Sequence, residues 1–188
     1  TNVSLKAVLV DLEIDYLYDE LMNDYLAAIK EADTKNSVEA IQGIVNGVNE
    51  ANVEAILEDI GAIEADTSLS LVESLLIKLD KATPITDNLD FDLNDKDLAF
   101  DRARLSYYRS ELVSLTVTGI AEGIEGVETA IKNGNANADA EFSHFEVKKA
   151  EAKINESLSF EVKALNVAGK AYDGFHGKQV SVTVTIGE

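Results

Sequence analysis

Apolar residues recur at helical spacing through the first three quarters of the chain, which predicts six or seven amphipathic helices. Within residues 41–48 they follow the i, i+3, i+4, i+7 pattern that lines one face of a helix. The spacing and the capping residues predict these helices: one from Ser4, one from near Ile14, one over 37–49, one capped by Asn52, one with a capping box Ser70–Glu73, one over 95–111 and one over 114–133.

The pattern changes to strict alternation after residue 141. Three stretches have a period of two and are rich in Val, Thr and Phe, which predicts strands over 145–154, 158–165 and 180–186. Gly134 stands where a helix C-cap glycine is expected, in a Gly/Asn/Ala stretch between the helical pattern and the alternating one. The sequence therefore predicts an α+β protein with separate domains, a helical domain (1–141) and a small antiparallel β-domain (142–188).

Two stretches of the helical domain resemble each other, IQGIVNGVNEANVEAI (41–56) and VTGIAEGIEGVETAI (117–131). An offset of 76 residues maps Gly43 and Gly47 onto Gly119 and Gly123, which predicts a repeated helical bundle of two units, about 4–66 and 67–141. Glycine inside a helix costs about 1 kcal/mol relative to alanine. We expect each pair to let a neighbouring helix approach closely; the alternative is a solvated helix face that tolerates glycine.

The net charge, like the hydrophobic pattern, differs between the first three quarters of the chain and the rest. The net charge is −19, and residues 1–141 hold 29 acidic and 10 basic side chains, while residues 142–188 hold six of each. Such a field repels nucleic acid and anionic membranes and attracts cations. The sequence also lacks an apolar run of about 18 residues, so we expect neither nucleic-acid binding nor membrane insertion.

The residues that usually carry catalysis form no recognisable set. The chain has no cysteine, and neither His144 nor His176 has a metal-ligand or triad neighbour at a familiar spacing. Carboxylates are so frequent that no acid/base pair stands out. We therefore predict that the protein is not an enzyme and that both histidines are structural.

One acidic stretch, residues 87–101, has spacing that suits calcium. Asp90, Asp92, Asn94 and Asp101 take positions 1, 3, 5 and 12 of an EF-hand-like loop, and such oxygen ligands favour Ca²⁺. Position 6 is Asp95 instead of glycine, and a helix is predicted to start there. The alternative is that these acids cap that helix.

The helical stretch DYLAAIKEADTKNSVEAIQGIVNGVNEANVEAIL (24–57) resembles the repeats of S-layer proteins and other large cell-surface proteins of Bacillus-like Gram-positive bacteria. Such repeats place a Y-x-x-A-I helix before an I-Q-x-I-V-x-x-V-N helix, and the matching residues here are Tyr25, Ala28, Ile29, Ile41, Gln42, Ile44, Val45, Val48 and Asn49. The second copy departs from the pattern, with Leu105 for the isoleucine and Glu125 for the final asparagine.

The tail, SLSFEVKALNVAGKAYDGFHGKQVSVTVTI (157–186), is similar to the opening strands of bacterial Ig-like domains in the same surface proteins. A complete sandwich takes about 100 residues, so residues 142–188 are expected to form a partial or reduced Ig-like β-module, or one completed by a strand from another chain.

The resemblance implies a secreted structural module of the cell surface or cell wall, which acts as a spacer and self-assembles or contacts neighbouring domains. The alternative is an adhesion or binding module for a cell-wall glycan or a protein partner, for which an aromatic-lined concave site would be the sign.

Overall fold

A computed structural model of the 188-residue chain describes residues 2–85, 89–113, 115–116, 119–147, 161–167 and 169–172. Within these residues the chain is mostly helical and ends in a small antiparallel sheet, which confirms the expected helical part and small β part. The elements are α1 (Asn2–Asp11), α2 (Met22–Glu31), α3 (Val38–Gly61), α4 (Leu69–Ala82), α5 (Leu105–Leu112), α6 (Ile120–Ala140), β1 (Phe142–Val147) and β2 (Val162–Asn166). Two 3₁₀ turns, Asp19–Leu21 and Arg102–Arg104, precede α2 and α5.

The chain divides into two compact parts, Thr1–Gly134 and Asn135–Glu188, which we call the helical part and the C-terminal part. The division falls inside α6, which continues to Ala140. The predicted C-cap at Gly134 is therefore wrong. A methyl group at Gly134 would lie 2.6 Å from Cδ1 and 3.1 Å from the backbone nitrogen of Tyr108. Glycine stands here because α5 packs against the backbone of α6, not because the helix ends.

Helix α3 is one continuous helix of 24 residues. It begins as predicted at Ser37, whose hydroxyl accepts a hydrogen bond from the backbone of Ala40 at 3.2 Å. The predicted break and second cap at Asn52 are wrong. The apolar positions keep helical spacing on both sides of that asparagine, and the buried set runs unbroken as Val45, Asn49, Val53, Ile56, Leu57 and Ile60.

Other predicted helix ends moved because local turns or caps decide them. The second helix starts at Met22 instead of near Ile14, since a turn with positive φ at Glu13 and Tyr16 separates it from α1. Helix α4 is capped by Ser68, two residues earlier than the predicted Ser70 box. Similarly, α5 and α6 begin at Leu105 and Ile120, ten and six residues later than predicted.

Two hydrophobic cores lie in the helical part. The first core contains the buried side chains Leu9, Ile14, Leu21, Met22, Tyr25 and Val45. The second core is larger and is built on α4, α5, α6 and the second half of α3. Val45 belongs to the first core, whereas Val53, Ile56 and Leu57 belong to the second. The same helix therefore closes both cores.

The order of elements in the helical part occurs twice. A helix, a 3₁₀ turn, a short helix and a long helix form the series from α1 to α3, and the same series runs from α4 to α6. A non-glycine residue with positive φ stands three residues before each 3₁₀ turn, Tyr16 (55°) in the first series and Ala99 (50°) in the second. The two connections thus share this backbone feature as well as the order of the elements.

Three of the four repeated glycines do not mediate close helix packing among the described residues. A methyl group at Gly43, Gly47 or Gly119 would meet nothing within 4 Å. The expected close approach at these positions is therefore wrong, and the solvated-face alternative describes Gly43 and Gly47, which are exposed on α3. Gly123 differs from its partner Gly47 in that it is buried.

In the C-terminal part, β1 and β2 pair antiparallel, with Phe145 opposite Ala164 and Val147 opposite Val162. After β2 the chain turns at Gly169, which has a φ of 73°. The Asn166 side chain fixes this turn, since its Oδ1 accepts from the Lys170 backbone and its Nδ2 donates to Asp139, both at 2.9 Å. The predicted strand over 180–186 and most of the one over 145–154 lie outside the described residues.

Candidate binding cleft

The four residues proposed for calcium lie on a loop between α4 and the second 3₁₀ turn. The helix predicted to start near residue 95 does not form there. The predicted conflict between that helix and an EF-hand-like loop therefore does not arise. Asp90, Asp92 and Asn94 are exposed, whereas Asp101 is half-buried. Calcium binding by these residues stays a prediction.

The side chains of this loop are engaged in local turns. Asp92 Oδ1 accepts hydrogen bonds from the backbone nitrogen of Asn94 at 2.7 Å and from its side-chain amide at 3.1 Å. Asp101 Oδ1 accepts from the Ala103 backbone at 2.9 Å and so caps the 3₁₀ turn. Capping is therefore observed, at Arg102–Arg104 instead of the helix predicted from 95.

Two of the four residues, one amide and one carboxylate, line a cleft beside α4 together with a second carboxylate, that of Asp80. We call it the loop cleft, and it has a volume of about 520 Å³. Asn94 and Asp101 line it, while Asp90 and Asp92 do not. The complete lining is Ile77, Asp80, Leu93, Asn94, Phe100, Asp101 and Arg102.

Backbone contacts hold the acidic walls of the loop cleft in place. Asp80 Oδ1 accepts from the Leu93 backbone at 2.8 Å, which ties the loop to α4. Arg102, at the rim, forms an ion pair with Glu73. Phe100 stacks on the fully buried Tyr108, with 5.5 Å between ring centroids and 28° between ring planes. The cleft thus combines apolar side chains with carboxylate and amide oxygens, the usual composition of a ligand site.

Among the described residues, no three His, Cys, Asp or Glu side chains converge closely enough to hold a metal ion. Calcium takes six to eight oxygen ligands, and the loop cleft supplies only part of such a set alongside apolar side chains. Its chemistry therefore fits a ligand with both a polar group and an apolar body.

A second polar cluster lies inside the first core and has a structural role. The buried Tyr25 hydroxyl donates to Asn49 Oδ1, and Asn49 Nδ2 donates to the Tyr16 carbonyl at 2.8 Å. The Tyr18 backbone donates to the Tyr25 hydroxyl at 3.2 Å. Burial, then neighbouring charges, raise the pKa of Tyr18 to about 12, and burial raises the pKa of Tyr25. Both phenols are therefore neutral at ordinary pH, where they fasten the α1–α2 connection.

The polar residues of the IQGIVNGVN motif serve the same connection. The Gln42 side chain forms two hydrogen bonds with the backbone of Asp15, accepting at 2.8 Å and donating at 3.2 Å. It also donates to Asn46 at 2.7 Å. The polar residues of this motif consequently clamp a turn with positive φ.

Sequence reasoning missed Asp80 and Phe100 as members of the cleft. Asp80 is one of many acids on a helix, and nothing in its spacing separates it from the solvated ones. Phe100 gave no clearer signal, because Phe91 stands in the same acidic stretch and is buried in the second core, outside the cleft.

Searches against protein-family models, curated proteins and solved structures gave no significant match. A membrane-spanning helix was not found among the described residues, since none of their helices is both long and apolar enough.

Proposed function

We propose that this chain is a structural module of a bacterial cell-surface protein of the S-layer kind, with the helical part as spacer. The observation that carries the proposal is α3, which closes both cores and so joins two repeated helix series without a flexible linker. The residues that resemble surface-protein repeats include Tyr25, Gln42 and Asn49, which build the clamp on the α1–α2 connection.

The C-terminal part is proposed to be a reduced Ig-like module that contacts neighbouring domains or a second copy. Its antiparallel β1–β2 pair and the turn at Gly169 support this assignment. Phe145 and Val147 on β1 are exposed by 39% and 55%, which provides apolar surface for such a contact. Secretion and a place in the cell wall are part of the same proposal.

Spacer behaviour is tested by breaking α3 between the two cores. Ala51 is exposed in the middle of the helix, and Ala51→Pro removes a backbone hydrogen bond and costs about 3 kcal/mol or more. We expect one unfolding transition in the native chain and two in this variant, followed by circular dichroism and by tyrosine fluorescence. Ala51→Gly is the control, because it costs only about 1 kcal/mol and leaves the helix continuous. Two transitions in the native chain would contradict the proposal.

Self-assembly is tested by the molar mass of the full chain in light scattering, with calcium and then with chelator. Large calcium-dependent assemblies are expected if the chain is a lattice subunit, and Asp90→Asn with Asp92→Asn should then weaken them. Asp33→Asn, an exposed acid outside the loop, is the matched control. A monomer under both conditions would refute calcium-driven assembly and leave the spacer role to stand on the unfolding experiment.

A further inference from the structure

The loop cleft has chemistry that a spacer does not require. Its lining combines the apolar side chains of Ile77, Leu93 and Phe100 with the carboxylates of Asp80 and Asp101. We infer that this cleft binds the guanidinium group of an arginine side chain presented by a partner.

Asp80 is the anchor of this site. Its side chain is half-buried, and Oδ1 is held by the Leu93 backbone, so the carboxylate has a fixed orientation. Within the part of the chain that the structure describes, Asp80 forms no ion pair, whereas Arg102 is paired with Glu73 and Arg104 lies 3.7 Å from Asp101. Arg102 and Arg104 thus already have acidic partners, and Asp80 carries the charge that a ligand would meet.

Phe100 provides the second contact that a guanidinium favours. Tyr108 covers one face of the ring, and the rest of this half-buried side chain lines the cleft. A guanidinium is planar and weakly hydrated, stacks on aromatic rings and makes two parallel hydrogen bonds to a carboxylate. Ile77 and Leu93 would pack against the methylene stem of the same side chain.

The surrounding field also favours a cation. The helical part holds 27 acidic and 10 basic side chains, which raises the local concentration of positive ligands. An inorganic cation would leave the apolar side chains of this cleft without a partner, whereas the aliphatic stem and flat head of arginine use both the apolar and the acidic residues.

The test is a titration of the ¹⁵N-labelled full chain with Nα-acetyl-arginine amide, followed by amide chemical shifts. We expect saturable shifts at millimolar ligand, concentrated around residues 77–80 and 93–102. The matched neutral probe is Nα-acetyl-citrulline amide, which has nearly the same shape without the charge. An arginine-containing peptide distinguishes a partner side chain from a free guanidine, since only the peptide should gain affinity from flanking residues.

Variants that preserve the backbone hydrogen bonds distinguish the effect of charge on binding from an effect on the structure of the cleft. Asp80→Asn retains an oxygen for the Leu93 backbone and removes the charge, and we expect binding to weaken about tenfold. Phe100→Leu should weaken it about threefold, the size of a partly exposed cation–π contact. Asp92→Asn is the control in the same loop, keeps its turn and lies outside the cleft, so it should change affinity less than about twofold.

Three results would overturn the inference. One is the absence of saturable shifts, and a second is equal binding of the citrulline probe, which would mark a neutral polar ligand such as a sugar. The third is shifts spread over acidic residues throughout the helical part, with Asp92→Asn as damaging as Asp80→Asn. Dispersion of the amide spectrum establishes in each case that the variant is folded.

Discussion

The Tyr25 and Tyr108 hydroxyls each accept a hydrogen bond from the backbone nitrogen of the residue seven positions earlier. The donors are Tyr18 at 3.2 Å and Asp101 at 3.0 Å, and both rings are fully buried. The two tyrosines are 83 residues apart, as are the positive-φ residues Tyr16 and Ala99. The structural correspondence between the two series therefore has an offset of 83 at this point, and not the 76 that aligns the glycines.

Replacing glycine by alanine should have opposite effects on stability at an open helix position and at a closely packed one. Gly47→Ala should stabilise the protein by about 0.5–1 kcal/mol, because alanine favours the helix and the methyl group meets nothing within 4 Å. Gly134→Ala should destabilise it by about 1–2 kcal/mol, because its methyl group would overlap the ring and backbone of Tyr108. Urea unfolding measures both values, and equal signs would contradict this account of the glycines.

The buried clamp predicts a large cost for removing Asn49. This side chain is fully buried and connects the Tyr25 hydroxyl to the Tyr16 carbonyl. Asn49→Ala leaves both groups without that partner, and we expect a loss of about 2–3 kcal/mol in the free energy of unfolding. Asn46→Ala, one turn earlier and partly exposed, is the control and should cost less than about 1 kcal/mol. Similar losses for both variants would argue against a specific clamp.

The backbone at Ala99 predicts a stabilising change to glycine. An L-residue with φ near 50° is strained by about 1–2 kcal/mol, and glycine relieves this at a smaller cost in chain entropy. Ala99→Gly should therefore raise the free energy of unfolding by about 0.5 kcal/mol. Ala55→Gly, at an exposed position within α3, should lower it by about 1 kcal/mol. Thermal unfolding of the two variants beside the native chain checks the opposite signs.

The pKa of Tyr18 predicts how stability falls at high pH. Its pKa is 10.0 when unperturbed and about 12 in the folded protein, so folding favours the neutral phenol. The contribution of the neutral Tyr18 phenol to the free energy of unfolding is fully present below pH 10 and is lost progressively as the pH rises from 10 to 12. Tyr18→Phe removes the hydrogen bond to the Pro84 carbonyl, 2.6 Å long, and should flatten this part of the pH profile. Melting temperatures measured from pH 8 to 11.5 give the comparison, and an unchanged slope in the variant would contradict it.

The helix boundaries show which parts of this fold can be predicted from sequence. Ser37 was predictable because an N-cap is a local signal that acts within its own turn. The continuity of α3 past Asn49 was not, because the asparagine that looks like a helix end bonds instead to Tyr25 and Tyr16, which are distant in sequence. Gly134 was misread for the same reason, since the atom that excludes a side chain belongs to α5.

The candidate cleft was predictable only in part. The acidic loop drew attention through the spacing of its oxygen ligands, and Asn94 and Asp101 do line the cleft. Asp80 enters from α4 because the Leu93 backbone nitrogen reaches its carboxylate, a contact between residues 13 positions apart. Such a contact depends on the path of the loop, which the sequence pattern does not specify.

The continuity of α3 has a consequence for how such a chain can be recombined. A cut at the sequence boundary between residues 66 and 67 would separate the second series from Val53, Ile56 and Leu57, which form one wall of its core. A segment that can be exchanged or duplicated as a unit consequently begins in the middle of α3, near Ala51. It includes the second half of that helix together with the helices from α4 to α6. Gene duplications that cut between the helix series would leave the second core incomplete, whereas duplications that cut within the long helix would keep each core with its own half of α3.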